Sequence, residues 1–154
     1  MKLHPDFKDF LAVLASEGVE YLLVGGYAVA FHARPRATKD IDFWVSSTPE
    51  NLERLVRALT RFGAPSSLVL AARTAGDDDV LWMGQPPTRI DILRSIAGVD
   101  FTRAYPNRVH AEWDTVPIVV IGSDDLIANK RAADRDQDRL DVSVLLAAKA
   151  QRGT

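Results

Sequence analysis

Two aspartates alternate with apolar residues in the segment DIDFWV, residues 40–45. Its aromatic and β-branched content predicts a strand, in which residues two positions apart project from one face, about 6.6 Å apart. Asp40 and Asp42 then project together, while Ile41 and Phe43 face the core. Carboxylates at that separation repel by about 2–3 kcal/mol at an effective dielectric constant near 20. A divalent cation that prefers oxygen ligands, such as Mg²⁺, would turn this repulsion into attraction.

A third acid, Asp91, is flanked by Ile90 and Ile92 in a second alternating segment, TRIDILRSI, residues 88–96. If this predicted strand pairs beside the first, three carboxylates converge on one patch. Three acids around one or two metal ions form a phosphoryl-transfer site. The alternative is that the aspartates are solvated or paired with arginine. Three arginines could serve: Arg36, Arg89 and Arg94.

Two adjacent glycines, Gly25 and Gly26, follow the strand-like run YLLV, residues 21–24. Glycine adopts positive φ and lets a ligand approach the backbone closely. The next segment, YAVAFHA, predicts a helix that ends before Pro35, and its free N–H groups would form an anion site beside the glycines. By itself a glycine pair is more often a tight turn without a ligand. The neighbouring aspartates favour phosphate binding.

Helical periodicity predicts an N-terminal helix in HPDFKDFLAVLASEG and a long helix in SSTPENLERLVRALTRFG that stops at Gly63. Two more helices are predicted at the C-terminal end, one from Ser123 to about Arg131 and one over DQDRLDVSVLLAAKA. Further strands are predicted over SSLVLAAR, DDVLWMG and VPIVVIG. The order predicts one domain, residues 1–154, with an α/β (α+β) fold in which helices cover a mixed sheet mainly on one face.

Composition narrows the function classes. The chain has 154 residues, a formal net charge of −2 and no cysteine. Bulk charge therefore does not recruit nucleic acid or an anionic membrane. Lack of cysteine excludes disulfides and thiolate metal ligands and fits a reducing cytoplasm. No apolar run approaches the ~20 residues of a membrane span. We expect a cytoplasmic protein without a membrane partner.

The segment LVGGYAVAFHARPRATKDIDFWV, residues 23–45, resembles the nucleotidyltransferase superfamily related to DNA polymerase β. That signature is a hydrophobic residue before Gly-Gly or Gly-Ser, a gap, an acid–hydrophobic–acid triplet, and a third acid on a later strand. The string R-x-T-x-D-I-D is similar to that of a small bacterial branch that includes AbiEii-type toxins. This chain supplies it with Arg36, Thr38, Asp40, Ile41 and Asp42.

The C-terminal segment LIANKRAADRDQDRLDV resembles a helical segment of the same branch, K-x-x-A-x-R-x-x-D-x-x-D. The matching residues are Lys130, Ala133, Arg135, Asp138 and Asp141. The resemblance thus runs from about Tyr21 to Val142. It implies a nucleotidyltransferase fold whose C-terminal helices pack alongside the sheet.

The resemblance implies an enzyme that moves a nucleoside monophosphate from a nucleoside triphosphate, ATP among them, to an acceptor hydroxyl, releasing pyrophosphate. It assigns catalysis and the binding of Mg²⁺, as two ions, to Asp40, Asp42 and Asp91. It assigns nucleotide binding to six residues: Gly25, Gly26, Arg36, Thr38, Lys130 and Arg135. Gly26 stands where many members have serine, so a hydroxyl contact with phosphate is missing here.

The implied partners are the triphosphate, an unidentified acceptor (a tRNA, a protein or a small molecule) and, in a toxin–antitoxin pair, a cognate antitoxin. The alternative is a catalytically silent nucleotide-binding or regulatory protein with the same fold. Lys130 and Arg135 could instead belong to a solvated basic face paired with aspartates. His32 is interpreted as a packed residue. The tryptophans are interpreted as core or interface residues, one of which could stack on a base: Trp44, Trp82 and Trp113.

Overall fold

Short segments rich in apolar residues build the six strands of one mixed sheet in the computed structural model, which describes residues 2–153. The strands are β1 (Tyr21–Val24), β2 (Asp40–Val45), β3 (Val80–Met83), β4 (Arg89–Leu93), β5 (Val109–Trp113) and β6 (Val116–Val120). Their spatial order is β3-β4-β2-β1-β6-β5. The central strand β2 runs antiparallel to β1 and parallel to β4, and both edge strands pair antiparallel with their neighbours.

Seven helices accompany the sheet in the described part of the chain. They are α1 (Pro5–Ser16), α2 (Gly25–His32), α3 (Pro49–Phe62), α4 (Ser66–Thr74), α5 (Phe101–Ala104), α6 (Ser123–Ala133) and α7 (Asp136–Arg152). The C-terminal helices α6 and α7 pack against each other and against α2. The predicted mixed α/β architecture is confirmed. None of the helices within residues 2–153 is long and apolar enough to cross a bilayer.

The two faces of β2 have different surroundings. Phe43, fully buried, meets Phe10 of α1 in an edge-to-face contact with ring centroids 5.2 Å apart. Trp44 lies on the opposite face, beside the aspartates, and is covered by Phe101 of α5 at 5.0 Å. The aspartate end of that face stays open. The sheet therefore has one face closed by α1 and one that is partly free for a ligand.

Asn51, buried in α3, ties the ends of β1 and β2 together. Its side-chain amide donates to the carbonyls of Glu20 (3.0 Å) and Ser46 (2.8 Å), and its oxygen accepts from the Glu20 amide at 2.7 Å. A buried amide with all three bonds made holds one arrangement of these strand ends. The register that results places Val24, at the end of β1, opposite Asp42.

One prediction of local structure needs correction, and two elements were missed. The segment SSLVLAAR forms helix α4 rather than a strand, and its buried residues, Leu68 and Ala72, lie four positions apart, as on one helical face. Strand β5 and the short helix α5 were not predicted. The long helix α3 agrees with its prediction: Thr48 caps its N terminus and Gly63, at φ 89°, follows its last residue.

Candidate active site

The pairing of β2 with β4 brings the three predicted acids together. Asp42 lies directly opposite Asp91, and Asp40 lies opposite Arg89. Paired residues of neighbouring strands project from the same face, so the carboxylates of Asp40, Asp42 and Asp91 form one cluster, with oxygen atoms within 4.8 Å of one another. The strand adjacency assumed from sequence is the one observed.

The cluster is electrostatically unfavourable without a cation. Burial, reinforced by the charges of Asp40 and Asp91, raises the pKa of Asp42 to about 7. Burial and the charge of Asp91 also raise the pKa of Asp40. Both shifts reflect the cost of holding several negative charges in a partly desolvated space. Oxygen ligands that repel one another in this way suit a hard divalent cation.

Arg89 provides the cluster with one cation of its own. Its Nε donates to Oδ1 of Asp91 at 2.7 Å. The alternative of arginine pairing therefore holds for Asp91 and Arg89. Arg94 instead pairs with Asp77, outside the cluster, at 3.1 Å.

The glycine turn adjoins the carboxylates. Because Val24 lies opposite Asp42, the next residue, Gly25, sits directly over the Asp42 side chain. Gly25 has φ +68°, and a Cβ there would overlap Asp42 Oδ2. A Cβ on Gly26 would lie 2.9 Å from Thr38 Oγ1 and 3.0 Å from Arg36 Nη2. Among the described residues, no side chain caps the N terminus of α2, so its first amides remain available to an anion.

Replacing Gly25 by alanine is expected to lower the free energy of unfolding and to weaken Mg²⁺ binding roughly 10-fold or more, because the new Cβ displaces the Asp42 carboxylate. The matched control is Gly18→Ala, since Gly18 has the same φ of +68° but open space around it. The control measures only the left-handed backbone strain, about 1–2 kcal/mol. Thermal unfolding and Mg²⁺ calorimetry test both variants. Equal effects in both would show that the Gly25–Asp42 contact has no role.

The basic residues of the C-terminal helices, Lys130 and Arg135, form ion pairs with buried aspartates and line a second wall of the same site. Lys130 Nζ lies 3.3 Å from Asp138 Oδ1 and 3.2 Å from Asp141 Oδ2, and all three residues are at most 5% exposed. Arg135 Nε contacts Asp138 at 2.7 Å, and Arg36 Nη2 contacts Asp141 at 3.1 Å. The alternative of a solvated basic face is therefore wrong for Lys130, although the pairing with aspartates is as expected.

A cleft of about 840 Å³ opens between these walls. All nine predicted site residues line it: Gly25, Gly26, Arg36, Thr38, Asp40, Asp42, Asp91, Lys130 and Arg135. Thr38 donates its hydroxyl to the Asp40 carbonyl at 2.9 Å and so positions the start of β2. The lining also contains residues that sequence reasoning missed, among them Lys39, Ser95 and Asn129. Adjacency was the available signal for Lys39, which precedes Asp40, and for Asn129, which precedes Lys130, whereas Ser95 lies near the end of the predicted strand without a motif position of its own.

The remaining aromatic residues divide into packed and exposed side chains. Trp44 is buried, and Trp113 packs on Tyr27 with ring centroids 5.6 Å apart. Trp82 is 54% exposed, so it is not a core residue, and the interface and base-stacking alternatives of its interpretation remain. His32, interpreted as packed, is partly buried with Nε2 2.6 Å from the Ile121 carbonyl oxygen, and burial lowers its pKa.

Comparison with known proteins identifies the family at a coarse level. A search of the curated proteins found no match. A family model described as "Nucleotidyltransferase of unknown function (DUF6036)" matches residues 6–149, which include the glycine turn, the three acids and the C-terminal basic residues. This match spans nearly the whole chain, and the chain therefore belongs to this family of nucleotidyltransferases of unknown function.

Proposed function

We propose that the protein is a Mg²⁺-dependent nucleotidyltransferase that moves a nucleoside monophosphate from a nucleoside triphosphate, such as ATP, to an acceptor hydroxyl. The observation that carries the proposal is the convergence of three carboxylates from two strands beside a glycine turn in one cleft. The nucleotidyltransferase family match supports the same reaction class.

The chemistry of the donor set fits magnesium. Asp40, Asp42 and Asp91 offer only oxygen ligands, and the raised pKa values of Asp40 and Asp42 reflect repulsion that a dication would relieve. When bound by these acids, Mg²⁺ would offset the charge of the triphosphate and lower the pKa of the acceptor hydroxyl. We propose two ions, as the resemblance implies.

The protein's own groups would hold the triphosphate at the other side of the cleft. The amides of Gly25 and Gly26 would bind the outer phosphates, and the exposed guanidinium of Arg135 would contact them as well. Arg36 and Lys130 would add positive potential from the wall. In the reaction the acceptor oxygen forms a bond to the α-phosphorus, and the bond from that phosphorus to the oxygen bridging the β-phosphate breaks. Pyrophosphate leaves, and the hydroxyl proton passes to solvent or to a carboxylate of the cluster.

Transfer is tested with triphosphates labelled at the α- or the γ-phosphate, Mg²⁺, and total RNA or total protein as acceptor. Label from the α-position, but not from the γ-position, is expected in the product. Asp91→Asn is expected to lower the rate at least ~100-fold, because it removes one charged ligand of the cluster. Asp9→Asn makes the same chemical change on the exposed surface of α1 and should leave the rate unchanged. Incorporation of γ-label would contradict nucleotidyl transfer.

One observation favours a second candidate, a silent nucleotide-binding partner. The ion pair between Arg89 and Asp91 already neutralises one of the three acids. A silent protein would bind triphosphate and Mg²⁺ in calorimetry without releasing pyrophosphate in the presence of any acceptor. Pyrophosphate release that depends on acceptor and is lost in Asp91→Asn would exclude this candidate.

The finer assignment, to the AbiEii-type branch and a toxin role, is also a proposal. The R-x-T-x-D-I-D string supports it, and so does the hydrogen bond by which Thr38 fixes the Asp40 backbone at the start of β2. Toxicity depends on the acceptor, because modification of a tRNA or an essential protein stops growth whereas modification of a small molecule need not. The labelled product of the transfer assay identifies that acceptor. A cognate antitoxin would then be the partner that suppresses labelling.

A further inference from the structure

The edge strand β3 continues the floor of the cleft. It pairs antiparallel with β4, with Trp82 opposite Asp91 and Val80 opposite Leu93. Directly paired residues share a face of the sheet. Asp91 and Leu93 line the cleft, so Trp82 and Val80 extend the same surface outward by one strand.

This extension is apolar and open to solvent. Trp82 is 54% exposed and Val80 46% exposed, whereas Leu81, which points to the other face, is 7% exposed. Every residue of β3 is apolar, so the sequence would also have allowed the opposite orientation, with the indole in the core. An exposed tryptophan beside a charged cleft is a feature that folding alone does not require.

Arg89 connects the indole to the acids. Its guanidinium carbon lies 4.7 Å from the centroid of the Trp82 ring, and its Nε lies 2.7 Å from Asp91 Oδ1. A guanidinium held over an indole presents a planar, positively charged stacking surface. Trp82 and Arg89 together therefore form a platform that directly adjoins the acid cluster, because Arg89 contacts both the Trp82 ring and Asp91.

The direction of the reaction places this platform on the acceptor's side. In the proposed function, pyrophosphate leaves toward the glycine turn at the end of β1. An in-line displacement requires the attacking oxygen to approach from the opposite side of the phosphorus. In the strand order, β4 and β3 lie on the other side of β2 from β1. The acceptor would then approach over Asp91 and Trp82.

We infer that Trp82 and Arg89 form the acceptor subsite and bind the unpaired terminal nucleoside of a single-stranded nucleic acid, an inference that rests on the proposed function. The indole would stack on the base, and the guanidinium would attract the adjacent phosphate. Stacking of this kind tolerates any base, and it needs only the last nucleotide, which is compatible with a chain of net charge −2. A serine side chain of a protein acceptor could not stack on the indole, and a tyrosine side chain could stack but brings no adjacent phosphate for the guanidinium.

Fluorescence anisotropy of a short, labelled single-stranded RNA, titrated with the full chain and Mg²⁺, tests the subsite. Trp82→Ala is expected to weaken binding about 10-fold or more, and Trp82→Phe to restore most of the affinity, because phenylalanine also stacks. Trp113→Phe changes the same residue type on the opposite edge strand, β5, and should bind like the wild type. DNA of the same sequence tests whether the ribose 2′-hydroxyl contributes to binding. Equal affinity for DNA and RNA would assign binding to stacking and the phosphate contact, whereas weaker binding of DNA would add a ribose contact, and both results support the stacking subsite.

Calorimetry of ATP with Mg²⁺, measured for every variant, separates this inference from the proposed function. Unchanged ATP affinity in Trp82→Ala together with lost RNA affinity supports the acceptor subsite. Equal RNA affinity in Trp82→Ala and wild type overturns it. A loss of ATP affinity in Trp82→Ala as large as the loss of RNA affinity also overturns it, because the triphosphate's own base would then lie on the indole. Binding of a blunt duplex as tight as that of the single strand also overturns it. Absence of ATP binding in the wild type, by contrast, would contradict the proposed function itself.

Discussion

Asp42→Asn is expected to abolish nucleotide transfer and, at neutral and alkaline pH, to make the metal-free protein more stable. Asp42 is paired with Asp91 across the sheet, shares a strand face with Asp40 and lies under the glycine turn, and its pKa rises from the ordinary 3.8 to about 7. At pH 8 the wild type must hold this carboxylate ionised beside two others. Asparagine keeps the shape of the side chain and removes the charge. Transfer should fall at least ~100-fold, because one charged ligand is lost.

The sign of the stability effect follows from proton linkage. Between about pH 4 and pH 7 the unfolded chain has lost the Asp42 proton while the folded chain retains it. The free energy of unfolding of the wild type should therefore fall as pH rises through this window and stay low above it. In Asp42→Asn this fall should be smaller. The expected gain at pH 8 is on the order of a few kcal/mol, since each pKa unit corresponds to about 1.4 kcal/mol.

Urea unfolding at pH 4, 6 and 8, with EDTA or with Mg²⁺, measures both effects. Mg²⁺ should raise the stability of the wild type at pH 8, because it binds the folded state, and should stabilise Asp42→Asn much less. The surface variant Asp9→Asn should reproduce the wild-type pH profile. If Asp42→Asn is less stable than the wild type at pH 8 without metal, the Asp42 charge does not destabilise the folded state.

The site could be predicted largely because its residues lie on regular elements with strict alternation. In DIDFWV and RIDIL, apolar neighbours assign each aspartate to one face, so the direction of each side chain follows from the pattern. What the pattern does not contain is the order of strands. That β4 lies next to β2, with Asp91 opposite Asp42, depends on contacts between segments about 50 residues apart in sequence.

The failed predictions come from segments whose pattern suits more than one structure. SSLVLAAR is apolar throughout most of its length, so its sequence fits a buried strand as well as a half-buried helix. VLWM is apolar at every position, so the sequence did not indicate that Trp82 faces solvent. Lys130 lies in a polar helix and its carboxylate partners lie on the next helix, so its burial at 5% exposure becomes visible only when α6 and α7 are packed together.

Lys130→Met is expected to destabilise the protein by about 3–5 kcal/mol, because it leaves two buried carboxylates without their shared cation. Asp138 and Asp141 are at most 1% exposed, and Lys130 Nζ lies within 3.3 Å of both. Arg135 and Arg36 each retain one of these acids, but neither contacts both. The total stability of a domain of this size is about 5–15 kcal/mol, so the loss is a large part of it.

Urea unfolding at pH 7 measures this loss, and Lys149→Met provides the control. Lys149 forms an ion pair with Asp124 on the surface, where such a pair contributes about 0–1 kcal/mol. A Lys130→Met variant with wild-type stability would mean that the two aspartates need no internal cation. The loss should shrink toward low pH, because protonation of Asp138 removes one of the unpaired charges.

The expected instability of Lys130→Met also means that this variant cannot by itself test whether Lys130 binds phosphate. Lost transfer in Lys130→Met would follow from misplacement of α6 and α7 as readily as from a lost phosphate contact. Arg135→Gln separates the two, because the Arg135 side chain is 76% exposed and its removal leaves the Lys130 ion pairs intact. Arg135→Gln is expected to unfold near the wild-type urea concentration and to bind ATP with Mg²⁺ more weakly in calorimetry. Unchanged ATP affinity in a folded Arg135→Gln variant would limit Arg135 to supporting Asp138, and Lys130 and Arg36 would then be the cations that face the triphosphate.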